Sequence, residues 1–196
     1  MDLISADEFF GSAESLGIGR SPEYPHSDHL VYPSGADPTR FWQVPPTTLD
    51  QTHFACAWVD AISPFGTVDL YCREWLNPLG GHGGALERTW SLLIQALGVP
   101  PNWDGALRFW REDRESLETL LFLQCALGIN LLSDLLVVPS HGDCFLFFEH
   151  HAVVWVHCPD EVELAGIIQT LEHAGYPLPS ELPDETFKSV SWIKAE

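Results

Sequence analysis

Histidines, thiols and carboxylates are the side chains whose types could do chemistry, and they concentrate around one predicted hairpin. They are His141, Asp143, Cys144, Glu149, His150, His151, His157 and Cys158. Zinc sites are signalled by Cys-x-x-Cys or His-x-x-x-His spacings, and neither occurs in this cluster. His157 and Cys158 are adjacent on a predicted strand, so their side chains should point to opposite faces. We therefore expect no stoichiometric metal and no other cofactor.

Motifs for nucleophilic or phosphate chemistry are also missing. The glycine-rich loop 80–84 precedes a predicted helix, but it lacks the Gly-Lys-Ser/Thr of a P-loop. No Gly-x-Ser-x-Gly occurs. Residues 140–143, Ser-His-Gly-Asp, contain the residue types of a catalytic triad, but their consecutive placement in a turn cannot give the required geometry. We expect no catalytic residues and no enzymatic activity.

The sequence predicts secondary structure most clearly between residues 135 and 175, around this cluster. Short apolar runs at 135–138, 144–148 and 152–158 predict three strands, of which the last two form an antiparallel hairpin. The expected pairing places Phe148 opposite Val153, with both faces of the sheet covered. A helix should begin at residues 159–161 and end at Gly175.

The rest of the chain adds helices and further strands. A capping box at Ser5 opens a short helix, and six prolines between residues 22 and 46 predict an extended arm with one strand at 40–44. Residues 54–59 and 68–72 read as a second hairpin, with a helix over 49–62 as the alternative. Helices are predicted over 86–97 and from Asp113 to Gly128, a short strand or helical turn at 106–110, and an edge strand within 186–193.

These elements predict an α+β fold with a mostly antiparallel sheet and helices packed on it. We expect a single compact domain, in which residues 1–48 form an N-terminal helix and a proline-rich wrapping arm, and residues 49–196 form the core. At 196 residues with 45% hydrophobic content, the chain can bury a sizeable core.

Cysteine usage and the N-terminal residues bear on the compartment. The five cysteines are odd in number and lie in apolar stretches, which predicts five free, buried thiols in a cytoplasmic protein. The first residues are acidic where a signal peptide is basic, and no apolar run reaches the roughly 18 residues of a membrane span.

Charge is the strongest global signal. The chain has 28 acidic residues against nine Lys and Arg, for a net charge of −19. Such a surface repels nucleic acid and anionic membranes and attracts basic proteins. Alternatively, the negative charge serves only to keep the protein soluble, although small domains need a net charge of only about 2 to 8 for solubility.

Residues 96–107, Ala-Leu-Gly-Val-Pro-Pro-Asn-Trp-Asp-Gly-Ala-Leu, resemble a segment of barstar-type ribonuclease inhibitors. In that family a helix ends at Leu-Gly-x-Pro, and Asn-Trp-Asp-Ala-Leu opens the next one. Here the aromatic-Gly step between Pro and Asn is missing and Gly105 is inserted. The resemblance covers 12 of the 196 residues, and the chain is far longer than that family. The resemblance is local and assigns neither a family nor any binding residue.

Together these observations favour an immunity protein that neutralises a basic bacterial toxin by direct binding. The alternatives are a hydrolase or metalloenzyme that uses the His-rich turns, and a DNA mimic whose carboxylates imitate phosphates.

The densest acidic and aromatic stretch predicts the binding surface. It consists of Trp103, Asp104, Trp110, Glu112, Asp113, Glu115 and Glu118. Reversal of Glu112, Glu115 and Glu118 to Lys should slow association with the partner. A second acidic cluster, at the start of the later helix, is the alternative surface: Asp160, Glu161 and Glu163.

Overall fold

The computed structural model describes residues 1–20, 30–31, 39–72, 75, 84–101, 103–131, 134–149 and 152–180. Within these ranges the helices are α1 (Ala6–Ala13), α2 (Thr48–Ala61), α3 (Gly84–Ala96), α4 (Arg114–Leu131) and α5 (Glu161–His173). The strands are β1 (Asp2–Ile4), β2 (Gly19–Arg20), β3 (Leu30–Val31), β4 (Thr39–Gln43), β5 (Thr67–Cys72), β6 (Ala106–Trp110), β7 (Leu135–Pro139), β8 (Phe145–Glu149) and β9 (Val153–His157).

Seven strands form one antiparallel sheet in the order β1-β6-β5-β7-β8-β9-β4, and β2 pairs with β3 separately. The sheet with its packed helices confirms the predicted α+β single-domain fold. Strands β1 and β4 come from the first 48 residues, so that part of the chain supplies both edges of the sheet.

The two faces of the sheet are buried by different helices. Strand β7 shows this, because Leu135 and Val137 join one apolar cluster while Leu136 and Val138 join the other. The larger cluster packs α2, α4 and α5 against the sheet, and the smaller one is closed by α1 through Phe9. The alternation follows from the two-residue period of a strand.

The opening and closing helices form as the sequence predicts. The Ser5 hydroxyl accepts the backbone N–H of Glu8 and caps α1. Asp160 caps α5, and Gly175 adopts φ 93° just beyond the end of that helix. A residue without a Cβ is favoured there, because the left-handed region is costly for other residues.

The predicted strand over 54–59 is wrong, and the alternative helix is the observed structure. Thr47 caps α2 by accepting the backbone N–H of Asp50. Phe54 and Trp58 are one helical turn apart and both fully buried, as are Ala55 and Val59. The other half of that hairpin, β5, is present but pairs with β6 and β7.

The β8–β9 hairpin exists, but its predicted register is off by one residue. Phe148 pairs with Val154 and Glu149 pairs with Val153, which leaves three residues in the connection. Ala152 at the end of this connection has φ 61°. A three-residue hairpin loop characteristically includes one residue in the left-handed region.

The structure also defines two elements whose type or end the sequence left open or predicted differently. Residues 106–110 form strand β6, and α4 continues beyond Gly128 to Leu131. The predicted edge strand within 186–193 and most of the loop 80–84 lie outside the described residues.

The prediction of five free cysteines is wrong. Cys144 and Cys158 form a disulfide with a Cα–Cα distance of 4.2 Å, while Cys56, Cys72 and Cys125 are outside any disulfide. Because Phe145 pairs with His157, the two bonded cysteines face each other immediately beyond the last pair of β8 and β9.

None of the helices in the described ranges is both long enough and apolar enough to cross a bilayer.

Candidate partner-binding surfaces

Trp110 stands at the end of β6 with its ring exposed to solvent. Along this strand Leu107 and Phe109 enter the larger apolar cluster, so Arg108 and Trp110 point to the opposite face. The Trp110 side chain is 41% exposed, whereas Trp42, Trp58, Trp75 and Trp90 are buried. A large aromatic side chain left open on the surface is a frequent anchor for a protein partner.

Two carboxylates hold Trp110 in place. Its indole N–H donates to Asp2 Oδ2 at 2.8 Å, and its backbone N–H donates to Asp113 Oδ2 at 2.9 Å. Asp113 also contacts the amino group of Met1 at 2.6 Å. The hydrogen bond from that amino group, aided by the one from Trp110, holds the pKa of Asp113 below its usual value.

Glu112 and Glu115 continue the acidic surface from the turn after β6 into the first turn of α4. Both are exposed, and neither has an ion pair with another residue of the described ranges. Their charges are therefore directed at solvent. We call Asp2, Trp110, Glu112, Asp113 and Glu115 the Trp110 patch.

The structure does not bring all the predicted binding residues together. Trp103 and Asp104 precede β6, at the other end of the strand from Trp110, and the five residues of that strand extend over about 13 Å. Trp103 is half-buried against the larger cluster. Asp104 is exposed but belongs to that distant end. Glu118 lies one turn further along α4 and is bound to Arg114 at 2.7 Å.

Two of the arginines near the patch are already neutralised by carboxylates. Arg108 makes two 2.8 Å hydrogen bonds to Asp69 and one of 3.0 Å to Glu8, which raises its pKa. Arg114 bridges Asp60 and Glu118, at 2.7 Å each. These two guanidinium groups are thus turned toward their own partners. Arg111 is exposed and remains a cation beside the patch.

The alternative acidic cluster, at the start of α5, has three different environments. The Asp160 carboxylate accepts the backbone N–H groups of Val162 at 2.8 Å and Glu163 at 3.0 Å. Glu161 is exposed. Glu163 is half-buried, and burial raises the pKa of its carboxyl group. Only Glu161 combines full exposure with freedom from a capping role.

The Glu163 carboxylate lies over the turn that precedes β8. A Cβ on Gly142 would lie 2.2 Å from Glu163 Oε1, which is closer than two such atoms can approach, and Gly142 has φ 76°. The backbone N–H of Asp143 hydrogen-bonds the same carboxylate, and the charge of His141 acts on it. Beside it are the sulfur atoms of Cys144 and Cys158. The sequence placed these residue types near one hairpin but did not reveal that Glu163 joins them.

No protein-family model matches the chain, and no match was found among curated proteins or solved structures.

Proposed function

We propose that this protein acts by binding a basic partner protein, and that it is a cytoplasmic immunity protein that neutralises a bacterial toxin. The observation that carries the proposal is Trp110, an exposed tryptophan fixed by two carboxylates. Two exposed acids, Glu112 and Glu115, lie next to it and form no ion pair within the part of the chain that the structure describes. The short resemblance of residues 96–107 to barstar-type inhibitors supports the same class.

The fixed position of Trp110 favours tight binding. Ordering a free surface side chain on association costs about 0.5–1.5 kcal/mol, and hydrogen bonds from both the indole and the backbone reduce that cost in advance. Tryptophan is also among the residues that most often dominate binding energy, where its ring enters a dry pocket of the partner.

The carboxylates raise the association rate with a basic partner and favour it over acidic proteins. An acidic field of −19 charges accelerates encounter with a basic surface and opposes encounter with an acidic one. An inhibitor of a toxin needs this property, because it must reach its target before the toxin reaches its substrate.

The test compares Trp110→Ala with Leu92→Ala, which truncates an exposed apolar side chain on α3. Basic proteins encoded by the genes next to this one are tested as partners, and binding and loss of the partner's activity are measured at about 150 mM salt. We expect Trp110→Ala to weaken binding by at least about 2 kcal/mol, or roughly thirtyfold, and Leu92→Ala to leave it unchanged.

Two results would count against the proposal. Equal binding by wild type and Trp110→Ala would show that Trp110 does not contribute to the binding energy. Binding of many DNA-handling proteins at low salt, lost at about 150 mM, would indicate a DNA mimic in place of an immunity protein.

A further inference from the structure

The two cysteines that flank the β8–β9 hairpin are buried together at one end of the sheet. Cys144 is 1% exposed and Cys158 is 0% exposed, with Cα atoms 4.2 Å apart. The hairpin register fixes this pairing, because both residues extend the ladder by one step beyond Phe145 and His157. Reduction of the disulfide would therefore leave two thiols at the same place.

A carboxylate lies within reach of both sulfur atoms. One oxygen of Glu163 and the two Sγ atoms all lie within 4.8 Å of one another. The ligands of a tetrahedral zinc ion, at bond lengths of about 2.0–2.3 Å, are about 3.3–3.8 Å apart. The Glu163 oxygen would therefore move inward, and the two Sγ atoms, which are bonded to each other in the disulfide, would move apart once it is reduced. Glu163 is directed inward by its position over Gly142 and by the N–H of Asp143.

A buried histidine nitrogen on the same turn is a further candidate ligand atom. His141 Nδ1 is buried and finds no hydrogen-bond partner among the described residues. Buried polar atoms nearly always have a partner, so an unpaired one suggests an ion or a water at that position. His141 directly precedes Gly142, over which the Glu163 carboxylate lies, so His141 belongs to the turn beside the same cluster.

We propose that the reduced protein binds one zinc ion through Cys144 Sγ, Cys158 Sγ and a carboxylate oxygen of Glu163, with the fourth position beside His141. Two thiolates with oxygen and nitrogen donors are a set that zinc prefers over magnesium or calcium. Ligand spacing along the chain predicts no metal, because these residues converge only through the hairpin and the start of α5.

Disulfide and metal exclude each other at this site. A dithiol reductant breaks the Cys144–Cys158 bond, becomes a disulfide itself and supplies the two thiol protons. Zinc then displaces both protons, which pass to solvent, and binds the two thiolates. In a reducing cytosol the thiol form predominates, so the metal form would be the one present there.

The experiment uses the full chain, reduced without oxygen and titrated with Co²⁺ and then Zn²⁺. Thiolate-to-cobalt charge-transfer absorption reports sulfur ligation, and elemental analysis after dialysis counts zinc. We expect about one metal per reduced chain, none in the disulfide form, and no charge-transfer band in the Cys144→Ser, Cys158→Ser double variant.

Glu163→Gln tests the carboxylate without removing a core cysteine. It should weaken zinc affinity about tenfold or more, whereas Glu161→Gln, two residues away and exposed, should bind as wild type does. A reduced wild-type chain that binds no cobalt overturns the proposal. So does a charge-transfer band that persists in the double cysteine variant, or zinc affinity that is equal in Glu163→Gln and Glu161→Gln. None of these measurements involves the partner protein, so the zinc site and the proposed binding function stand or fail separately.

Discussion

The starts of α4 and α5 are both rich in acids, yet the two regions use them differently. Near α4, Asp113 binds a backbone N–H and an amino group, while Glu112 and Glu115 face solvent. At α5, Asp160 caps the helix and Glu163 turns inward to the sulfur atoms of the hairpin. Acids favour helix N-termini through the dipole, by about 0.3–1 kcal/mol each. Acid density alone therefore does not identify a binding surface.

The two regions also differ in what lies between the acids. Near α4 the exposed apolar side chain is Trp110, held at both its indole and its backbone. At α5 it is Val162, 83% exposed and small. A fixed aromatic ring offers a partner much more apolar contact than a single valine, which is why we propose the Trp110 patch as the binding surface.

The largest effect that separates the two regions concerns the turn beneath Glu163. Gly142→Ala should lower the free energy of unfolding by about 1–2 kcal/mol, because φ 76° is unfavourable for alanine. The new Cβ would also displace the Glu163 carboxylate, which can move because it is the end of a flexible side chain. Urea unfolding of the disulfide form measures this.

The matched control for that prediction is Gly166→Ala in α5, where an added Cβ meets nothing within 4 Å. We expect Gly166→Ala to be neutral or stabilising, since alanine is the better helix former. Equal losses in both variants would mean that the turn at Gly142 has no special constraint.

The next effect is a pH dependence of stability that has opposite signs in the two regions. The pKa of Glu163 is raised in the folded chain, mainly by burial, so its contribution to stability is present in acid and is lost as pH rises through the folded pKa. The pKa of Asp113 is lowered, mainly by the hydrogen bond from the Met1 amino group. Its contribution is present above the unfolded pKa and is lost as pH falls.

The variants Glu163→Gln and Asp113→Asn test these opposite pH dependences of the free energy of unfolding. Both are studied in the metal-free disulfide form. Relative to wild type, Glu163→Gln should gain stability from acid to neutral pH, and Asp113→Asn should lose it over the same range. Denaturant unfolding between about pH 3 and 7 checks both. Parallel curves for wild type and the two variants would contradict the environments assigned to these carboxylates.

The sequence predicted the parts of the fold that depend on local signals. The Ser5 cap, Gly175 and the apolar runs of β7, β8 and β9 are such signals, and each formed as expected. The apolar run at 54–59 was assigned to a strand, because a buried helix and a buried strand share that composition. The cap at Thr47 and the partial exposure of Cys56, which in a strand would share the buried face of Phe54 and Trp58, distinguish them.

The candidate sites were less predictable, because each depends on contacts between distant segments. A one-residue error in hairpin register is enough to separate Cys144 from Cys158, so the disulfide could not be inferred from the runs alone. The sequence grouped Trp103 and Asp104 with Trp110 because they are close along the chain. In the structure, strand β6 separates Trp103 and Asp104 from Trp110.

We expect the acids beside Trp110 to guide the partner to this surface. The association rate with the partner, as a function of salt, measures this guidance. Glu112→Lys, Glu115→Lys is compared with Glu161→Lys, Glu172→Lys, since both pairs are exposed and both change the net charge equally. Glu118 is left unchanged because it binds Arg114. We expect the first variant to associate several-fold more slowly with a flatter salt dependence, and the second to stay much closer to wild type. The reverse order, or an unchanged rate in both variants, would mean that the acids beside Trp110 do not guide the partner.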